Sequence, residues 1–113
     1  MKCEGVWKVE ITTPYGWERI GTAFMQNGQY LAASANHYSI GTYKQDGEDV
    51  EISTVITQYG DYRTLFGKKD MVNLHVKSRC KIDENGIVGR SKAEGRKNSD
   101  ILIRLTRLAD LDK

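Results

Sequence analysis

Val6-Trp7-Lys8-Val9-Glu10-Ile11-Thr12 alternates apolar and polar side chains, so Trp7, Val9 and Ile11 share one side and Lys8, Glu10 and Thr12 the other. That period of two is the signature of a β-strand buried on one face only. Residues 20–26 form a second such run, which stops at Asn27-Gly28, the strongest hairpin signal in the chain. Residues 29–33 make a third strand, and after a polar break residues 37–44 make a fourth, ending at Asp46-Gly47. Val50, Ile52, Thr54 and Ile56 restore the alternation in a fifth. Residues 58–70 break the period with two glycines and adjacent lysines, which predicts a long connection with room for one helical turn. Three more strands follow, over residues 71–81, 87–94 and 101–108, with Asp83-Glu84-Asn85-Gly86 as the turn between the first two. The tail from 109 is expected to fray.

Short strands joined mostly by tight turns, with no helical period, predict an all-β fold. An antiparallel meander loses its exposed edges most simply by closing into an up-and-down, eight-stranded barrel. A sandwich and a partly open barrel are the other arrangements the pattern allows. The 113 residues are about one domain's length, and 39% hydrophobic and 28% charged residues exclude a disordered or low-complexity chain. One domain spanning residues 1–113 is expected. The acidic residue at position 4 interrupts any signal-peptide pattern, and no apolar run is long enough for a membrane helix, so the expected location is cytoplasmic. Cys3 and Cys80 read as free thiols, since two cysteines and two histidines show no zinc-site spacing. No metal and no cofactor is expected.

Charge is unevenly spread. Residues 1–56 hold four Lys/Arg against seven Asp/Glu, whereas residues 57–113 hold thirteen against eight. Acidic Asp46, Glu48 and Asp49 cluster at one turn, where carboxylates without counter-charges would present a footprint for a basic partner; a solvated turn is the plainer reading, and the spacing matches no calcium loop. Basic residues at 77, 79, 81, 90, 92, 96 and 97 fit the solvent face of strands. With no aromatic after Phe66 to stack on bases, nucleic acid is not the favoured partner. These bases could instead meet the acidic turn of a second subunit.

Trp7, Val9, Ile11, Phe24, Ile52, Val72, Leu74 and Ile103 are the inward candidates, lining a cavity for a small hydrophobic ligand or simply filling the interior. Tyr15, Trp17, Tyr30, Tyr38, Tyr43, Tyr59 and Tyr62 lie at turns or polar faces where they could anchor a partner. Trp17 is the one that most needs cover, which a dimer would supply. No catalytic constellation is present: no Gly-x-Ser-x-Gly, no phosphate loop, and His75 and Cys80 fall on opposite strand faces by parity.

Residues 5–16, Gly-Val-Trp-Lys-Val-Glu-Ile-Thr-Thr-Pro-Tyr-Gly, together with Gly21, Asn27-Gly28, Tyr38-Ser39-Ile40-Gly41-Thr42-Tyr43, Gln45-Asp46-Gly47-Glu48-Asp49 and Leu105-Thr106-Arg107-Leu108, resemble the GrlR-like negative regulators of type III secretion. The resemblance runs over nearly the whole chain. It implies a lipocalin-like (calycin) barrel, a homodimer, and a bacterial regulator that acts by binding a transcriptional activator rather than by catalysis. In that family an acidic loop of alternating Glu and Asp after the fourth strand makes the contact, which implies Asp46, Glu48 and Asp49 here. Gly47 and Gln45 depart from the family pattern, as does Ala33-Ser34-Ala35 where relatives carry Gly-Gly.

Overall fold

The computed structural model describes residues 2–13, 15–35, 37–59, 74–95 and 100–111. Its strands are β1 (Gly5–Thr13), β2 (Gly16–Gln26), β3 (Gln29–Ala33), β4 (His37–Asp46), β5 (Asp49–Gln58), β6 (Leu74–Asp83), β7 (Gly86–Ala93) and β8 (Ile101–Ala109). Each pairs antiparallel with its sequence neighbours, and β8 returns to β1 to close the barrel. The fold is thus the all-β, eight-stranded, up-and-down barrel that the alternation predicts, and it is consistent with the calycin-like barrel that the resemblance implies. The expected connection over residues 58–70 and the start of the sixth strand, with Val72, lie outside the described residues beyond position 59.

Alternation sorts the side chains as anticipated on most strands. Trp7, Val9 and Ile11 point inward from β1, and Val50, Ile52, Thr54 and Ile56 from β5. The second strand begins four residues earlier than its pattern suggests. Val9 pairs with Gly21 and Glu10 with Arg19, which leaves Ile20 as the extra residue of a bulge. The bulge resets the parity, so the run before position 20 does not read as a continuation of the run after it. Gly41 and Gly89 sit mid-strand because the backbone of the neighbouring strand approaches each too closely for a side chain. A Cβ on Gly41 would overlap the Ser53 carbonyl oxygen, and one on Gly89 the Arg79 carbonyl oxygen.

Up-and-down connectivity gives the barrel two unlike ends. At one end lie the turns after β2, β4 and β6, the start of β1 and the end of β8. Residues 2–4 plug this end. The Trp7 indole donates from Nε1 to the Cys3 carbonyl at 2.9 Å, the Cys3 amide donates to Gln45 Oε1 at 3.1 Å, and the Tyr43 hydroxyl donates to Glu4 Oε2 at 3.1 Å. Arg107 holds the plug from outside, its Nη1 donating to the Glu4 carbonyl at 2.6 Å and its Nη2 to the Lys2 carbonyl at 2.5 Å. Its guanidinium also lies 4.3 Å from the Trp7 ring centroid. Cys3 is fully buried as a result.

Arg107→Ala removes two charge-assisted hydrogen bonds and a cation–π contact, and is expected to cost about 2 kcal/mol. Cys3 should then become reactive to an aromatic disulfide reagent at least about tenfold faster while Cys80 is unchanged. Thiol-reaction rates checked by peptide mapping test this, and an unaltered Cys3 rate would refute the plug.

Candidate functional site

At the plugged end the turn after β4 and the turn after β6 stand side by side. The Ile82 amide donates to the Glu48 carbonyl at 2.9 Å, tying one to the other. Gly47 has φ +64°, which suits glycine, and the Gln45 side-chain amide donates to its carbonyl at 3.0 Å. Asp83 Oδ1 accepts from the Asn85 amide at 2.8 Å and shapes the second turn. Lys2, Gln45, Glu48, Ile82, Asp83 and Glu84 line a shallow surface depression between the two turns. Exposed Asp46, Glu48, Asp83 and Glu84 therefore share one end of the barrel.

The three acidic residues singled out from the sequence do not act alike. Asp46 and Glu48 have no cation paired with them among the described residues. Asp49 does: its carboxylate lies 2.5 Å from Lys81 Nζ, and that contact pushes the lysine pKa up. Glu51 and Arg79 repeat the pairing one step along, at 3.8 Å. Lys81 and Arg79, two of the bases that could meet the acidic turn of a second subunit, thus pair with acidic residues of β5 in their own chain. Asp83 and Glu84 were read only as turn formers. The up-and-down order could have found them, since the connections after even-numbered strands all fall at one end.

The interior divides along its length. Near the plug it is packed solid around Trp7, Met25, Ile82, Ile87 and Leu105. Toward the other end is a cavity of about 40 Å³, whose lining includes Val9, Ile11, Ile52 and Ile103. Trp7 is buried in the packed half, and Leu74 belongs to a small cluster with Ile56, Val76 and Ala93. Phe24 is a correction. It faces outward with 47% of its surface exposed, while Ala23 and Met25 face in. Ala23 pairs directly with Trp7, and the indole leaves no space for a second large ring. Tyr30 and Tyr43 are corrections too, both being buried in the core.

Polar residues complete the cavity wall, and of them the sequence pattern singles out only Thr54 as inward. His37, Ser39, Thr54, Ser78 and Ser91 all point in. Ser78 and Ser91 bond to each other at 2.6 Å, and His37 Nδ1 to Ser34 Oγ at 2.9 Å. Ser39 and Thr54 are at least nine-tenths buried and face the same cavity. Parity was the available signal: Lys77, Arg79 and Lys81 outside require Ser78 inside.

Other candidates resolve within the chain. The Arg104 guanidinium covers the Trp17 ring at 4.2 Å, so Trp17 has cover without a dimer. His75 is exposed and Cys80 buried, on opposite faces as parity requires. Burial pushes the Cys3 thiol up to about 11 and the Cys80 thiol up to about 12. The chain matches no protein-family model and no curated protein.

Burial lowers the His37 pKa, so the folded protein resists a proton that the unfolded chain accepts. Below the ordinary histidine value of about 6.5 the unfolded state binds more protons, and stability falls with pH. Melting temperatures measured from about pH 7 down to about pH 5 should fall more steeply for wild type than for His37→Gln. Parallel curves would remove His37 as the cause.

Proposed function

We propose that the chain is a non-catalytic, cytoplasmic regulatory module, GrlR-like in its mode of action, that binds a basic protein partner such as a transcriptional activator through its plugged, acidic end. The observation that carries this reading is the convergence of exposed Asp46, Glu48, Asp83 and Glu84 from two tied turns, an acidic excess over the nearby Lys2 and Lys81. Such a surface steers a basic partner and would mask a nucleic-acid-binding patch by occupying it. Asp49 contributes less, since Lys81 already answers its charge. Thiols held protonated at neutral pH support a binding role over nucleophilic chemistry.

A second reading rests on the cavity. The inward side chains of Ser39 and Thr54 suit a small molecule with a polar group, and the apolar wall formed by Val9, Ile11 and Ile103 suits its other side. About 40 Å³ is room for about three water molecules and too little for a lipid chain. A carrier of large hydrophobic ligands is therefore disfavoured.

The test is affinity capture from the host with wild type and with the Asp46→Lys, Glu48→Lys, Glu84→Lys triple variant, after circular dichroism shows both folded. A protein retained by wild type and bound at least about tenfold more weakly by the variant is expected. Retention unaffected by charge reversal, or no retained protein, would overturn the proposal. Native mass spectrometry of the same samples reads out any small molecule.

A further inference from the structure

The outer face of β7, β8, β1 and β2 gathers aromatic and basic side chains that neither the acidic end nor the cavity uses. Registers cross it without a break. Arg90 pairs with Leu102 and Val88 with Arg104 between β7 and β8, Arg104 pairs with Glu10 on β1, and Thr12 of β1 pairs with Trp17 of β2. The Leu102 amide donates to Thr12 Oγ1 at 3.0 Å, and the Arg104 guanidinium reaches across β1 to lie 4.2 Å from the Trp17 ring centroid. Leu102, Arg104 and Trp17 therefore belong to one continuous surface. Tyr15, in the turn before Trp17, is 87% exposed, Val88 53%, Leu102 40% and Trp17 36%.

The charge on this face is of one sign. Lys8, Arg19, Arg90, Lys92 and Arg104 share it, and Glu10 is the acidic side chain among the outward positions of these strands. Arg104 and Lys8 already answer Glu10, at 2.8 Å and 3.9 Å. Glu18 falls by register with inward Ile11. On the far side β6 extends the positive field, with Lys77 opposite Lys92 and Arg79 opposite Arg90. Like charges set directly opposite each other destabilise a sheet, so this clustering is not what strand pairing alone would select. On the near side, beyond Arg19, the outer face of β2 passes into an uncharged apolar row formed by Phe24, Leu31 and Ile40.

We infer that this face docks the barrel on an anionic phospholipid bilayer. Trp and Tyr carry an apolar body with a polar tip and settle at the headgroup level, where Val88 and Leu102 bury their side chains and the basic residues hold their charges among the phosphates. Lysine and arginine lay their aliphatic stems along such a surface while keeping their heads in the polar layer. A fluid bilayer also brings anionic groups to cations at any spacing. Nucleic acid fits less well. The barrel is 24 Å across, about twice the roughly 12 Å width of a DNA major groove. Stacked bases would need the Trp17 face that Arg104 occupies, and Val88 and Leu102 would lie against phosphate. The acidic turns with Asp46, Glu48, Asp83 and Glu84 stand at the opposite end of the barrel from Tyr15 and the start of β8. A negative surface therefore attracts one end and repels the other, which docks the barrel with its acidic end pointing away from the bilayer.

Co-sedimentation with vesicles tests the assignment, using phosphatidylcholine alone and phosphatidylcholine with about one-third phosphatidylglycerol. Wild type is expected to bind the anionic vesicles at least about tenfold more tightly than the neutral ones, and to be released when salt is raised from about 0.1 M to about 1 M. Trp7 is buried, so a blue shift of tryptophan emission on the anionic vesicles reports Trp17 entering the interface, and Trp17→Phe should abolish it. The Arg90→Glu, Lys92→Glu double variant should bind at least about tenfold more weakly. Leu31→Ser, on the uncharged row, should bind as wild type does. Circular dichroism establishes folding, and if the double variant misfolds, Tyr15→Ser at the exposed turn takes its place with weakened binding expected. No binding to anionic vesicles, equal binding to neutral ones, or a double variant that binds as wild type overturns the inference. Retention of single-stranded RNA without vesicle binding overturns it in favour of nucleic acid. These positions are separate from Asp46, Glu48 and Glu84, so vesicle binding and partner capture succeed or fail independently.

Discussion

Everything in this molecule depends on β8 returning to β1. Without that seam the first and last strands would expose two rows of unpaired backbone groups, and the inward side chains of eight short strands would have nothing to close over. The seam is stitched by side chains as well as by the ladder. Arg104 Nε donates to Glu10 Oε1 at 2.8 Å, and the same guanidinium covers Trp17. Glu10's pKa is lowered, chiefly by that hydrogen bond. Beside it, Leu108 is skipped between the pairs Val6–Ala109 and Trp7–Arg107. That bulge lets Arg107 reach over Trp7 and the plug. Closure and capping of one end are thus the work of neighbouring residues on one strand.

A closed meander then dictates where function can sit. Its turns alternate between ends, so residues far apart in sequence become neighbours by strand parity alone. The turns at 47–48 and 84–85 share an end for this reason, and the hydrogen bond from Ile82 to Glu48 follows from it. Plugging makes that end a solid, polar surface. The opposite end keeps its cavity because polar side chains face inward there. Ser39 and Thr54 on its wall set it apart from the filled, apolar half of the barrel.

The strands, their order and most inward faces were legible because alternation is a local signal that closure reinforces. Residues 6–12 and 50–56 read correctly for this reason. Misreadings occurred where a distant partner decides. Phe24 looks like a core residue until Trp7 is known to lie across from Ala23. Tyr30 and Tyr43 look like surface aromatics until the plug gives the Tyr43 hydroxyl Glu4 to bond. Ile20 hides a bulge that no parity rule contains. The acidic site was half legible: Asp46 and Glu48 stand out in the sequence, but Lys81 neutralising Asp49 depends on a register set across strands.

The outer apolar row could not be found by alternation at all. Phe24, Leu31, Ile40 and Val55 each fall between inward residues of their own strands, and in sequence they look like isolated exposed hydrophobics of the kind every surface carries. Only the hairpin registers bring them into line. The same registers gather the cations on β6 and β7, where Lys77 faces Lys92 and Arg79 faces Arg90 despite the cost of like charges side by side. Three surfaces result, one acidic at the plugged end, one basic on β6 and β7 and one uncharged on β2 to β5. The charge asymmetry between the two halves of the sequence is the linear trace of that partition. A barrel wall kept clear of charge between charged neighbours differs from ordinary surface in composition, and that difference arises from the registers rather than from any one strand.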